Sequence, residues 1–219
     1  MASGKRTQFT DELHAYMLEH NPSPDAVQRK LIEVTHSKLP QVAGKQVAQE
    51  QGPFLAFLIR LTRARYVVEV GTFTGLSALS MAQALPPDGA LLTCDVSEEW
   101  TAYAKEAWEE AGVADRIELR IAPATETLAG LPEEPHIDLA FLDADKENYI
   151  AYWEELVPRM RPGGLLVVDN VFMRGGVIDV RATGAAAAIR EFNEHVRGDD
   201  RVESVMLPVA DGVTLARKV

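Results

Sequence analysis

The chain has 219 residues, enough for one domain with a substantial buried core, and its composition of 47% hydrophobic and 25% charged residues is typical of a soluble globular protein. A net charge of −11, from 22 basic and 33 acidic residues, argues against nucleic acid or an anionic membrane surface as a partner. Cys94 is the single cysteine, which excludes a disulfide framework and a thiolate metal cluster. The lack of a membrane-length apolar run and of a signal-peptide core predicts a cytoplasmic protein.

The N-terminal part of the chain favours helices. Thr10, followed by two acidic residues, is expected to cap the first helix. Ser23 before a proline predicts the start of a second helix, and the third has an early interruption at Gly52-Pro53. The predicted helices cover residues 10–20, 23–37 and 47–61. They would form a helical cap, residues 1–62, on a core of residues 63–219 within a single domain.

After this cap, short apolar runs alternate with helical stretches. The first five runs cover residues 66–70, 91–95, 117–121, 137–143 and 165–170. Strands that are apolar throughout and alternate with helices predict a parallel sheet covered on both faces. Two further runs, residues 202–208 and 212–218, surround Asp211-Gly212. Because Asp-Gly between two strands is a hairpin signal, we expect the last strand to run antiparallel to the one before it.

The ends of the first two strands suggest a site for a nucleoside cofactor. Gly71 and Gly75 allow a sharp turn and a close backbone approach to a ligand, although a tight strand–helix turn alone would also explain them. Asp95 ends the second strand, where an acid can accept both hydroxyls of an adenosine ribose. Alternatively, Asp95 caps the helix that begins at Glu98.

The next two strands end in acidic residues. The stretch IDLAFLDADKENY places Asp143 at one strand end, and Asp169-Asn170 follows the next strand. If these strands are neighbours, about 4.8 Å apart, their tips face each other. Two carboxylates and an amide suit Mg²⁺, and without a cation the two acids would raise each other's pKa. The alternative is helix capping by Asp143 or Asp145 and a polar turn at Asp169-Asn170.

Several of these segments together resemble one enzyme family. They are VEVGTFTGLSALSMA, LLTCD, FLDADKENY, RPGGLLVVDNV and ADGVTLARK, in this order from about Gln46 to the end. Jointly they resemble the cation-dependent class I O-methyltransferases, S-adenosylmethionine enzymes related to the caffeoyl-CoA and catechol O-methyltransferases. The resemblance implies a Rossmann-like, doubly wound α/β fold. Its mostly parallel seven-stranded sheet would have an antiparallel last strand.

The resemblance also implies roles for individual residues. The positions that match the S-adenosylmethionine site are Val47, Glu69, Gly71, Thr72, Ser77, Asp95, Ala124 and Asp143. Asp143, Asp169 and Asn170 match the ligands of Mg²⁺ or a similar cation. Lys146 matches the catalytic lysine, which acts beside Asp143. Arg174 stands where the plant enzymes often have a substrate-contacting asparagine, so the identity of the substrate stays open.

The implied mechanism is methyl transfer to a phenol. The cation would chelate both oxygens of an ortho-dihydroxy aromatic and lower the pKa of the reacting hydroxyl. Lys146 would accept its proton or stabilise the phenolate. Alternatively, Lys146 forms only a surface ion pair with Glu147 or Glu154. Tyr149 and its neighbours Tyr152 and Trp153 are expected to pack their helix instead of lining the site.

We therefore predict an S-adenosylmethionine-dependent O-methyltransferase for a small catechol-type phenol. An NAD-dependent oxidoreductase is one alternative, although the glycine spacing differs from the dinucleotide fingerprint. A non-catalytic, oligomeric binding protein of the same fold is the other, against which the intact Asp143 and Lys146 argue. A homodimer is expected, formed through the apolar side of Leu31, Val34 and residues 54–61.

Overall fold

A computed structural model describes residues 7–219, so the first six residues of the predicted cap lie outside the described part. Its centre is one seven-stranded sheet with the order β3-β2-β1-β4-β5-β7-β6. The strands are β1 (Tyr66–Val70), β2 (Ala90–Asp95), β3 (Ile117–Ile121), β4 (Ile137–Leu142), β5 (Met160–Asp169), β6 (Val202–Leu207) and β7 (Val213–Lys218). Strands β1 to β5 pair in parallel, whereas β7 pairs antiparallel with both β5 and β6. The predicted mostly parallel sheet with an antiparallel last strand is confirmed.

Helices cover both faces of this sheet. They are α1 (Asp11–His20), α2 (Ala26–Lys38), α3 (Gln51–Thr62), α4 (Leu76–Ala84), α5 (Glu98–Glu110), α6 (Ala124–Ala129), α7 (Tyr149–Arg159) and α8 (Ala185–Arg197). Successive residues of a strand point to opposite faces, so Val67 packs with α3, α4 and α5 while Val68 packs with α6, α7 and α8. The helices within residues 7–219 are too short or too polar to span a bilayer.

The N-terminal helices begin differently from the prediction. Asp25, not Ser23, caps α2: its side chain accepts from the Gln28 backbone N–H at 2.9 Å, and the Gln28 side chain accepts from the Asp25 N–H at 3.0 Å. This reciprocal capping box explains the later start. Gly52 and Pro53 do not interrupt α3 but lie in its first turn, where proline removes no helical hydrogen bond.

The proposed dimer face is only partly exposed. Leu31, Leu55 and Leu58 are buried in the core, so they are not available to a second copy of the chain. The exposed apolar residues of α3 are Phe57 and Leu61, with 60% and 64% of their surface accessible.

Candidate active site

A cavity of about 1090 Å³ opens at the carboxyl ends of the parallel strands. The loops after β1, β2, β3, β4 and β5 contribute its walls, and residues 44–48, just before α3, line another side. Ligands of open α/β sheets bind at this edge, because the strand ends and helix starts meet there. The volume is sufficient for a nucleoside cofactor together with a small aromatic molecule.

The turn after β1 requires its glycines. Gly71 has a φ of 99°, and a Cβ at this position would lie 2.0 Å from the backbone oxygen of Asp143. Gly75 has a φ of 82°, and its Cβ would lie 2.5 Å from the Cβ of Ala104. The left-handed backbone and the close approach both exclude larger residues. The turn therefore lies directly against the strand end that carries Asp143.

Asp95 connects the ends of β1 and β2. Its Oδ2 accepts from the N–H groups of Thr72 and Phe73 at 3.1 and 2.8 Å, and its Oδ1 accepts from the Ser97 N–H at 2.9 Å. The carboxylate thereby holds the glycine turn in place while it forms part of the cavity wall. The α5 cap is Ser97, whose hydroxyl accepts from the Trp100 N–H, so the capping alternative for Asp95 is wrong.

The other predicted cofactor residues divide between the cavity wall and the layer below it. Those that line the cavity are Val47, Gly71, Thr72, Ser77, Asp95, Ala124 and Asp143. Glu69 is fully buried and does not line it. Its Oε2 accepts from the Thr93 hydroxyl at 2.6 Å, and Oε1 has no hydrogen-bond partner within residues 7–219. Burial raises the pKa of Glu69 to about 8, although the nearby Ser77 and Thr93 hydroxyls lower it.

Asp143 and Asp169 lie at neighbouring strand tips, as predicted. Leu142 of β4 pairs with Val168 of β5. Asp143 and Asp169 come directly after these two residues. Burial, followed by the charge of Asp143, raises the pKa of Asp169 to about 7. Asn170 comes next with a φ of 60°, a backbone conformation that asparagine tolerates better than most residues.

These three residues suit a hard divalent cation. They offer carboxylate and amide oxygens and no soft donor, which is the ligand set that Mg²⁺ prefers. Burial and, to a smaller extent, the charge of Asp143 disfavour the ionised form of Asp169, whereas Lys146 favours it, and a bound cation would favour it further.

Gln51 is a site residue that the sequence analysis missed. It is 3% exposed, lines the cavity at the start of α3, and its Oε1 accepts from the Ala48 N–H at 2.7 Å. Its side chain favours the ionised form of Asp169 and so lowers the pKa of that carboxyl. No sequence motif marks this glutamine, because its contact depends on how α3 packs over the end of β5.

Lys146 contacts the acidic site directly. Its Nζ lies 2.9 Å from Asp143 Oδ1 and 2.6 Å from the hydroxyl of Tyr149. The alternative ion pairs with Glu147 or Glu154 are not formed, since Glu154 instead pairs with Arg201 at 2.7 Å. Tyr149 is buried and packs its helix without lining the cavity, as predicted, and it also bonds Lys146.

Asp145, which was named as an alternative helix cap, makes no side-chain capping hydrogen bond. It lines the cavity, and its Oδ1 accepts from the Tyr152 hydroxyl at 2.6 Å. Tyr152 lines the same side of the cavity. Tyr152 therefore lines the site as well as packing its helix, contrary to the prediction, which rested on a tyrosine of an amphipathic helix being typically a core residue.

Arg174 lies at the mouth of the cavity, in the loop that follows Asn170. The Arg174 N–H donates to Asp211 Oδ1 at 2.7 Å. The Phe172 N–H donates to the backbone oxygen of Asp211 at 3.0 Å. A Cβ on Gly212 would lie 2.5 Å from the Phe172 ring, so this glycine allows the loop to pack on the β6–β7 turn. The Asp211-Gly212 turn thus also positions Arg174, the predicted substrate residue.

A second group of potential metal ligands lies outside this cavity. Ligand atoms of Glu154, His195 and Asp199 all fall within 4.8 Å of one another. The Arg201 guanidinium, however, is 2.7 Å from Glu154 and 2.6 Å from Asp199. Since arginine already supplies the positive charge, this group is a structural ion-pair network.

Several known proteins that are similar to this chain are O-methyltransferases. Residues 19–219 match a family model described as O-methyltransferase. Caffeoyl-CoA O-methyltransferase 2 of Zea mays is 38% identical over 223 residues, covering 96% of this chain and 84% of its own length. The catechol O-methyltransferase domain-containing protein 1 of Mus musculus is 41% identical over 174 residues, covering 78% of this chain and 66% of that protein.

A solved structure shows the same similarity in three dimensions. The O-methyltransferase TomG from Streptomyces achromogenes, in complex with S-adenosylmethionine, superposes with a TM-score of 0.86 at 30% identity, covering 95% of this chain and 96% of that one. The family model spans nearly the whole chain, and this protein therefore belongs to the O-methyltransferase family.

Proposed function

We propose that this O-methyltransferase uses S-adenosylmethionine and a divalent cation to methylate a hydroxyl of a small ortho-dihydroxy aromatic. The observation that carries the proposal is the position of Asp143, Asp169, Asn170 and Lys146 in the same cavity as the glycine turn. One ligand cavity thus combines a hard-cation site, a basic side chain and a turn suited to a nucleoside cofactor.

The cofactor half of the cavity would be the side of Gly71, Asp95 and Ala124. The glycine turn allows close approach of a ligand, and Asp95 presents its carboxylate beside it. The related structure of TomG contains S-adenosylmethionine, which supports the same choice of cofactor here. The carboxyl group of the buried Glu69, below this wall, would lie under the methionine end.

The metal half would be the side of Asp143, Asp169 and Asn170. When bound, a divalent cation supplies positive charge that lowers the pKa of a chelated phenol hydroxyl. Lys146, 2.9 Å from Asp143, is placed to take the proton of that hydroxyl or to stabilise the phenolate. Its side chain is only 14% exposed, so water competes weakly for this contact.

The proposed substrate is a catechol-type phenol, because two adjacent hydroxyls can chelate one cation. The names of the Zea mays and Mus musculus relatives, which refer to caffeoyl-CoA and catechol, agree with this class. We also propose a homodimer, for which the exposed Phe57 and Leu61 of α3 are the available apolar residues of the predicted face.

A methyl-transfer assay tests the proposal. The protein is incubated with S-adenosylmethionine and a panel of ortho-dihydroxy aromatics, with added Mg²⁺ or with an excess of chelator. We expect transfer only with the cation, and only to substrates with adjacent hydroxyls. Meta-dihydroxy isomers are the matched control, since they cannot chelate. Full activity in the presence of chelator contradicts the metal role, and equal rates on both isomers contradict the substrate class.

A further inference from the structure

The hydroxyl of Tyr149 lies between the two halves of the acidic site. It accepts from Lys146 Nζ at 2.6 Å and lies 3.2 Å from the backbone oxygen of Asp169. Tyr149 is fully buried and does not line the cavity, so it cannot touch a substrate there. Its contacts nevertheless join the loop after β4 to the end of β5.

Local backbone geometry explains the contact with Lys146. Residues Lys146–Asn148 form a single 3-10 turn, and α7 begins at Tyr149. Side chains three residues apart eclipse each other in a 3-10 turn, so Lys146 and Tyr149 lie one above the other. The ammonium also lies 4.7 Å from the centre of the Tyr149 ring. The turn therefore directs the lysine along the tyrosine toward the strand end.

The hydrogen-bond directions follow from the donor inventory. An ammonium group can only donate, so the tyrosine oxygen accepts from Lys146. Its own hydrogen is then free for the Asp169 carbonyl at 3.2 Å or the Leu142 carbonyl at 3.4 Å, at the ends of β5 and β4.

The ring of Tyr149 is held from the other side. It packs edge-on against Phe192 of α8, with ring centres 5.4 Å apart. A fully buried ring has few rotamers available, so the hydroxyl position is set by the packing of α7 on the sheet. The flexible side chain of Lys146 would otherwise sample many conformations. Instead, its nitrogen has the fixed Tyr149 hydroxyl as one partner and Asp143 as the other.

We propose that Tyr149 is a positioning residue, which holds the Lys146 nitrogen beside Asp143 and ties it to the strand that carries Asp169. The inference rests on the proposed role of Lys146 in methyl transfer. It adds a residue that acts through the lysine without contacting cofactor, cation or phenol.

Replacement of the hydroxyl alone tests the inference. Tyr149→Phe keeps the ring packing, so we expect a melting temperature within a few degrees of wild type. We expect kcat with a catechol substrate to fall about 10- to 100-fold, the scale of a lost hydrogen bond to a charged group. The KM for the catechol and the binding constant of S-adenosylmethionine, from calorimetry, should change by less than about twofold, the scatter of independent effects.

A double-mutant cycle separates positioning from general packing. In a Lys146→Met background, Tyr149→Phe should lower kcat by a further factor of less than about two, because the lysine that Tyr149 positions is absent. Tyr152→Phe is the matched control: it removes a second hydroxyl of α7 that bonds Asp145 instead of Lys146. Its effect should be the same in both backgrounds. Multiplicative effects of Tyr149→Phe and Lys146→Met would overturn the inference.

A structural measurement separates this inference from the proposed function. A crystal structure of Tyr149→Phe should show Lys146 Nζ displaced from its wild-type contact with Asp143. If the wild-type protein methylates no catechol, the proposed function fails, and the variant structure still decides the positioning role. A Lys146 nitrogen that keeps its place beside Asp143 in Tyr149→Phe overturns the inference, whatever the activity.

Discussion

Asp169 lies at the tip of β5 beside Asp143 at the tip of β4, and burial together with the charge of Asp143 raises the pKa of Asp169 to about 7. Lys146, 2.9 Å from Asp143, supplies one positive charge to this pair, and the ionised form of the buried Asp169 is still disfavoured. The arrangement becomes favourable when a cation neutralises the two acids, which is the basis for the proposed metal dependence.

Substitutions at Asp169 and Asp95 should separate metal binding from cofactor binding. We expect Asp169→Asn to lose at least about 100-fold in methyl transfer, because it removes a direct ligand of the cation, while S-adenosylmethionine still binds. Asp95→Asn, at the other side of the cavity, should weaken S-adenosylmethionine binding and leave the affinity for Mn²⁺ near wild type. Calorimetric titrations of both variants with each ligand measure this. A loss of both affinities in either variant contradicts the division of the site.

Glu69 should make stability depend on pH. The folded protein raises the pKa of Glu69 from 4.5 to about 8, so the folded state binds the proton more tightly than the unfolded chain. The stability that this proton provides is complete below about pH 4.5 and is lost as the pH rises toward 8. In Glu69→Gln this loss is absent, and we expect a melting temperature several degrees above wild type at pH 8.5 but near it at pH 5.

Thermal unfolding of the cofactor-free protein across this pH range measures the effect of Glu69. Glu203→Gln, which changes an exposed acid of β6, controls for the altered net charge. Parallel pH profiles for wild type and Glu69→Gln contradict the prediction.

Gly71→Ala should cost more stability than another glycine substitution at positive φ. A Cβ at Gly71 would meet the Asp143 backbone oxygen, so we expect a loss of about 2–4 kcal/mol from overpacking and left-handed strain. Gly112 has a φ of 67° with no atom within 4 Å of its added Cβ, so Gly112→Ala should lose only about 1 kcal/mol. Urea denaturation of both variants gives the comparison, and equal losses would refute the steric explanation.

Arg174→Ala should affect the phenol and not the cofactor. Arg174 lies at the cavity mouth, so we expect a several-fold higher KM for the catechol with little change in kcat or in S-adenosylmethionine binding. Arg181→Ala is the matched control, because Arg181 belongs to the same connection between β5 and α8 but its side chain is 90% exposed. A KM unchanged for every phenol tested would show that Arg174 does not contact the substrate.

Much of the site was predictable because its signals are local. The strand ends are marked by apolar runs that stop at Gly71, Asp95, Asp143 and Asp169, and each of these residues follows or ends a strand in the structure. Side chains that follow parallel strands meet at one edge of the sheet, so the motifs alone placed them together. The helix starts were less predictable, because Asp25 could be preferred to Ser23 only once the contact with Gln28 was known.

By itself, the sequence determined the alternation of strands and helices, the glycine turn and the identity of the acidic residues. Only the tertiary structure decided that β7 lies between β5 and β6, that Glu69 lies below the cavity, and that Gln51 and Tyr149 reach the acidic site. The physical reason is that turns and strand periods depend on neighbouring residues. Burial and contacts across the sheet depend on packing between segments far apart in the chain.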